Sequence, residues 1–173
     1  SMGNLVAMLA WVPRGGEIQS LAAYFHPLDL VGDWNRVYGR RGFLQYQFVV
    51  PFEAVDTMRT IIAKISEEGH ASFLAVLKRM GAESGGLLSF PRPGWTLTYD
   101  LPAGVKGLGP WLAELDELVL AAGGRHYLAK DALATPELVA AGYPRLDDWK
   151  AIRNRVDPDG VWVSDQARRL QLI

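Results

Sequence analysis

Cysteine is absent from all 173 residues, which excludes disulfides, thiolate nucleophiles and cysteine-based metal sites and leaves the redox compartment open. No apolar run approaches the ~20 residues of a membrane-spanning helix. Leu5 to Val12 is apolar but short, and it lacks the basic flank and cleavage site of a signal peptide. An excess of one charge is missing too. The formal net charge is −1, so neither nucleic acid nor an anionic membrane is attracted by charge alone. The glycines form no phosphate-binding pattern: Ala82-Glu83-Ser84-Gly85-Gly86 fits neither G-x-G-x-x-G nor G-x-x-x-x-G-K. His26, His70 and His126 are scattered without ligand spacing, and no metal site is predicted. G-x-S-x-G is absent, and no Ser-His-Asp order suggests itself.

What is present suits one domain with a real core, at 49% hydrophobic and 21% charged residues. Ser1-Met2 reads as an expression scar and an introduced start, which predicts a longer natural protein. The run at 5–12 fits either a buried strand or the stub of a larger element. Asp33 to Tyr38, with Trp34 and Val37 three apart, predicts one or two helical turns. Phe43 to Val50 is the clearest strand, ended by Pro51. Its alternation places Leu44, Tyr46, Phe48 and Val50 on an apolar face, and Phe43, Gln45, Gln47 and Val49 on the other. The two amides fit a solvated face or a polar pocket equally well.

Residues 53–68 predict a helix through Val55, Met58, Ile61, Ile62 and Ile65, stopped at Gly69. Strands are predicted at Ser72–Leu77, with Lys78 at its end, and at Trp95–Leu101. The latter sets Trp95, Leu97 and Tyr99 against Thr96, Thr98 and Asp100. A second helix over 108–122 and a strand at Tyr127–Lys130 complete the order strand, helix, strand, strand, helix, strand. That order predicts an α+β fold: a ferredoxin-like antiparallel sheet with helices on one face, followed by a helical C-terminal tail. Thr135-Pro136-Glu137 opens one tail helix, and Asp147 to Val156 is another. The last residues, Leu170 to Ile173, are apolar enough to pack on something.

The chemistry centres on Gly124-Arg125-His126-Tyr127-Leu128-Ala129-Lys130-Asp131. Lys130 at the lip of a buried strand fits a desolvated cation aimed at a ligand; the same residues fit a solvated strand end with a Lys130–Asp131 pair. Asp100, Asp131 and Asp165 are candidate acids or bases at positions that also suit ordinary solvated aspartates.

Several strings occur in an order that resembles one family. They are Phe25-His26-Pro27-Leu28-Asp29, Asp33-Trp34-Asn35-Arg36-Val37-Tyr38-Gly39 and Gly42-Phe43-Leu44-Gln45-Tyr46-Gln47-Phe48. Leu88-Ser89-Phe90-Pro91 with Pro93-Gly94-Trp95, then Gly123 through Asp131, Tyr143-Pro144-Arg145-Leu146-Asp147 and Ser164 through Leu170 complete them. From about residue 20 onward the chain resembles the C-terminal half of the decaprenylphosphoryl-β-D-ribose 2-oxidases, FAD enzymes of the vanillyl-alcohol-oxidase-like superfamily.

The resemblance implies a substrate-binding cap at residues 1–142. Residues 143–173 would then pack on an FAD-binding domain that precedes the cap. It implies FAD as cofactor, faced by Tyr127, Ala129 and Lys130, with Lys130 catalytic. Gln45, Gln47 and Lys78 would line the substrate pocket. Two positions depart from the family: Phe25 stands where a tyrosine is usual and Thr96 where an asparagine is, which bears on substrate choice. Thr98 replaces a usual cysteine. The implied reaction is hydride transfer from the sugar C2 to the flavin, giving a 2-keto sugar on a polyprenylphosphoryl carrier. A cationic Lys130 suits that chemistry, and Lys78 suits the substrate phosphate as a point charge. Implied partners are a reductase that completes epimerisation of an arabinan precursor, and the membrane peripherally through the lipid. A flavin-free ferredoxin-like binding module and the cap of a related sugar-alcohol or lactone oxidase are the alternatives.

Overall fold

Strand β1 (Phe43–Val50) is the axis of the molecule, entered from Gly42 in the left-handed region and closed by Pro51. The computed structural model describes residues 18, 20–26, 32–33, 36, 38–69, 72 and 74–173. The apolar run at 5–12, Pro27 to Asp29, Trp34, Val37 and His70 lie outside them. A short helix, α1 (Leu21–Phe25), comes first. After β1 come α2 (Val55–Glu67), β2 (Ala75–Met80), β3 (Gly94–Pro102), α3 (Leu108–Ala121) and β4 (Arg125–His126). The four strands form one antiparallel sheet in the order β2-β3-β1-β4. This is the ferredoxin-like arrangement that the element order predicts.

The apolar face of β1 is covered as its alternation requires. Tyr46, Phe48 and Val50 pack with Leu97 and Leu101 of β3 against Met58, Ile61 and Ile65 of α2 and Leu112, Leu115 and Val119 of α3. Gly123 (φ +70°) ends α3, and Gly124 then passes so close to β1 that a Cβ would stand 2.5 Å from the Val49 carbonyl oxygen. The glycine pair thus does two jobs, reversing the chain and allowing the close approach.

Two strands lie elsewhere along the chain than the sequence reading has them. β2 starts at Ala75 instead of Ser72, because the Ser72 hydroxyl donates to the Leu74 carbonyl (2.6 Å) and accepts from the Leu74 and Asp100 amides (3.2 Å each). This local closure competes with the ladder. Lys78 therefore lies inside the edge strand and not at its end. β4 lies at Arg125–His126, just before the strand predicted at Tyr127–Lys130, and pairs there with Val49 and Phe48; one further bond runs from the Tyr127 N–H to the Gln47 carbonyl (2.9 Å). Leu128–Lys130 then form a 3-10 turn. Leu, Ala and Lys are helix formers with no β-branched member, so local preference wins once pairing weakens.

The tail forms α4 (Pro136–Gly142), α5 (Leu146–Val156) and α6 (Asp165–Arg169). Thr135 and Ser164 accept capping bonds from Leu138 N–H (3.2 Å) and Ala167 N–H (3.1 Å). A second core joins Leu138, Val139, Tyr143 and Leu146 to Leu170 and Leu172, so most of the apolar C-terminus packs on this chain itself.

Candidate active site

The sheet's other face gathers the polar residues. Register places Gln45 opposite Asp100, Gln47 opposite Thr98, and Thr96 between Val49 and Lys78. Gln47 Nε2 donates to Thr96 Oγ1 (3.2 Å), and Gln45 Nε2 donates to Asp100 Oδ1 (2.8 Å). The Tyr38 hydroxyl donates to Asp100 Oδ2 at 2.5 Å. Burial, then this bond, pushes the Tyr38 hydroxyl well above the usual tyrosine range. Asp100 is only 1% exposed, so it is not the solvated strand-end aspartate that its sequence position suggests. It is the acceptor that orients Gln45. With Nε2 committed to a carboxylate, Gln45 Oε1 has no partner among the described residues and is open as an acceptor.

At one end of this face a groove of about 290 Å³ opens between Phe43, Leu44 and Gln45 on one side and Ala129, Lys130, Asp131 and Ala132 on the other. Three sequence-proposed residues, Gln45, Ala129 and Lys130, meet there. The Lys130–Asp131 pair does not form. Asp131 instead binds Arg169 of α6, whose guanidinium also donates to the Asp131 (2.9 Å) and Ala134 (2.8 Å) carbonyls. Gln166 Nε2 donates to the Leu128 carbonyl (2.8 Å), a second brace from α6. Among the described residues nothing bonds or pairs with the Lys130 ammonium, and the side chain lines the groove half-buried.

The remaining candidates lie elsewhere. Gln47 and Thr96 are buried, bonded to each other. The Tyr127 ring stacks on Phe90, 4.4 Å between centroids. Lys78 is exposed on β2, three strand spacings or about 14 Å from β4. Phe25, on α1, is 65% exposed. Asp165 is fully exposed and pairs with Arg168, which leaves it an ordinary helix-end aspartate.

Sequence reasoning missed the buried groups behind Lys130. Burial pushes the Asp116 carboxyl above its usual range, although Tyr46 donates to it (2.7 Å) and His126 stands 3.8 Å away. The α3 periodicity hides Asp116 because it follows the buried Leu115. Arg125, 8% exposed, donates to the Ser89 carbonyl (2.6 Å) and pairs with Glu83 (3.1 Å), pinning the loop that carries Phe90.

Tyr143 closes the region from the tail. Its hydroxyl donates to the His126 carbonyl at 2.7 Å, and burial pushes its pKa up to about 12, against a smaller lowering by Arg125. The folded state thus holds this proton more tightly than the unfolded chain does. Its contribution is complete below pH 10 and is lost as pH rises towards 12. Urea melts are expected to show Tyr143→Phe losing less stability than the wild type over that window, by at most about 2–3 kcal/mol. Equal losses would remove this assignment.

Comparison with known proteins agrees with the residue strings. The family model described as D-arabinono-1,4-lactone oxidase matches residues 97–170. A decaprenylphosphoryl-beta-D-ribose oxidase of Mycolicibacterium smegmatis is 51% identical over 167 residues, covering 94% of this chain and 36% of that protein. A Streptomyces coelicolor protein, described as an uncharacterized protein in mprA 5'region, is 44% identical over 160 residues, covering 92% of this chain and 42% of its own length. The chain thus spans well under half the length of the curated relatives it matches. Its resemblance to decaprenylphosphoryl-ribose oxidases is borne out along nearly its whole length, and the two of these matches whose names carry an activity are oxidases.

Proposed function

We propose, from this kinship with decaprenylphosphoryl-ribose oxidase, that the chain is the substrate-binding half of an FAD-dependent oxidoreductase that oxidises the 2-hydroxyl of a polyprenylphosphoryl ribose. The kinship supports the coarser part, an FAD-linked oxidase. The observation that carries the finer part is the unpaired Lys130 ammonium in a groove beside Gln45. A sugar hydroxyl offers both a donor and an acceptor, and it meets an acceptor at Gln45 Oε1 and a cation at Lys130.

The residues present fit a flavin. Ala129 and Ala132 flank Lys130 in the groove wall, leaving a low surface for a flat ring system with a cation beside it. Tyr127, next in the same turn, is the second flavin-facing residue in this reading. FAD would supply the hydride acceptor. The chain's own part is to bind the sugar, orient its hydroxyl through Gln45 and hold a positive charge at Lys130 Nζ. Gln47 and Thr96 back Gln45 from the next row of the sheet, Phe25 shapes substrate choice, and Lys78 suits the lipid phosphate better than the reacting carbon.

Residues 143–173 are assigned to contact with the FAD-binding domain. Val156 and Trp162, 61% and 74% exposed, line an apolar groove of about 400 Å³, and Val161 before Trp162 is 73% exposed. Contiguous exposed apolar residues of this kind mark interaction surfaces. A separate reductase that finishes epimerisation and peripheral contact with the membrane through the lipid belong to the same proposal.

The lactone-oxidase family match favours a second reading, the cap of an oxidase for soluble sugar lactones. Anaerobic mixing of the full-length enzyme with each substrate separates the two. Loss of flavin colour with decaprenylphosphoryl ribose and none with D-arabinono-1,4-lactone supports the first; the reverse pattern replaces it with the second.

A further inference from the structure

His126 is 4% exposed on a strand position where an apolar side chain would fill the same space. Its Nε2 lies 2.8 Å from the carbonyl oxygen of Lys130. A carbonyl only accepts, so Nε2 carries the proton. Nδ1 then faces Asp116 at 3.8 Å, too far for a hydrogen bond, and has no hydrogen-bond partner among the described residues. A buried polar atom left open is costly and calls for an explanation.

The surroundings supply one. Between Gln45, Asp116, His126 and Lys130 lies a small, partly open cavity of about 10 Å³, the space of one water. A water there has the partners it needs, in Nδ1 and the Asp116 carboxylate. The ring is also held firmly: Tyr46 packs 5.2 Å from it and fixes Asp116 with its hydroxyl, while Tyr143 holds the His126 carbonyl. Among the described residues, the one hydrogen bond of the His126 ring runs to the residue that carries the groove's cation.

We propose that His126 is a positioning residue for Lys130, its Nε2–H fixing the turn so that the ammonium stays in the groove beside Gln45. Arg169 and Gln166 brace the same turn from α6, at Asp131, Ala134 and Leu128; His126 alone holds the Lys130 carbonyl among the described residues. The inference rests on Lys130 being the groove's working cation, but its test reads position as well as turnover.

The test uses the full-length oxidase with His126→Leu and His126→Gln. A glutamine amide nitrogen stands where Nε2 stands and keeps the donor; leucine keeps only the bulk. Brief modification with an amine-reactive ester, quantified by peptide mass spectrometry, compares Lys130 with exposed Lys78. In His126→Leu the Lys130 rate is expected to change about tenfold relative to Lys78, the shift that one lost buried hydrogen bond permits. His126→Gln should restore it. In turnover, kcat should fall in His126→Leu with KM for the ribosyl lipid unchanged, and recover in His126→Gln. Should His126→Leu not fold, His126→Asn takes its place, since its amide is too short to reach the Lys130 carbonyl. An unchanged Lys130 rate in the leucine variant, or no rescue by glutamine, overturns the inference. If no variant and not even the wild type oxidises the ribosyl lipid while the labelling pattern holds, the positioning role stands and the substrate assignment falls.

Discussion

Lys130→Ala in the full-length oxidase is expected to slow flavin reduction by the ribosyl lipid about a hundredfold to a thousandfold, the usual effect of removing one preorganised charge-stabilising group. Three observations make the effect specific. The ammonium has no ion-pair partner among the described residues, and Asp131 is occupied by Arg169 instead. It lines the groove with Gln45, whose own amide is locked by Asp100. Its turn is fastened at Leu128, Lys130, Asp131 and Ala134, so the side chain starts from a fixed point. The variant should keep its FAD and its melting temperature, because no bond within the described residues is lost. Rapid-mixing absorbance of the flavin measures the rate directly. A variant that reduces its flavin as fast as the wild type makes Lys130 an ordinary turn residue.

The second large effect is on stability. Phe48→Ala is expected to cost about 3–5 kcal/mol, the range for truncating a buried phenylalanine. Phe48 has no exposed surface and stands mid-strand in the central β1, inside the core that α2 and α3 cover. Both helices meet there, so neither can close the space without leaving the other. Lys78→Ala, on the exposed edge strand, serves as the control and should stay within about 0.5 kcal/mol of the wild type. Urea unfolding gives both values. A loss below about 1 kcal/mol for Phe48→Ala would show that the face can collapse, and that the packing described is not what holds the sheet.

Much of this architecture is legible in the sequence because its signals are periodic. The two faces of β1 follow from alternation alone, and the helical stripes of α2 and α3 from Met58, Ile61, Ile65, Leu112, Leu115 and Val119. The order of elements then leaves few ways to assemble the sheet. What alternation could not reveal is partnership. Asp131 looks paired with its neighbour Lys130 and is in fact paired with Arg169, thirty-eight residues later. Asp100 looks solvated until register brings Gln45 and Tyr38 to it. The short β4 was also beyond reach, since residues 125–130 are apolar enough for a strand while three of them prefer a helical turn. His126 and Asp116 lie on different elements, so no local pattern joins them. Apart from β4, where local preference decides, each failure is a long-range contact, the kind of fact that only the fold supplies.

The central claim is that the groove between Gln45 and Lys130 receives the sugar, and a crystal structure of the full-length enzyme with a non-reactive ribosyl phosphate analogue tests it most directly. The account predicts sugar hydroxyls within hydrogen-bond distance of Lys130 Nζ and Gln45 Oε1, with Asp100 still holding the Gln45 amide. A sugar bound elsewhere, with Lys130 turned to solvent, would contradict it.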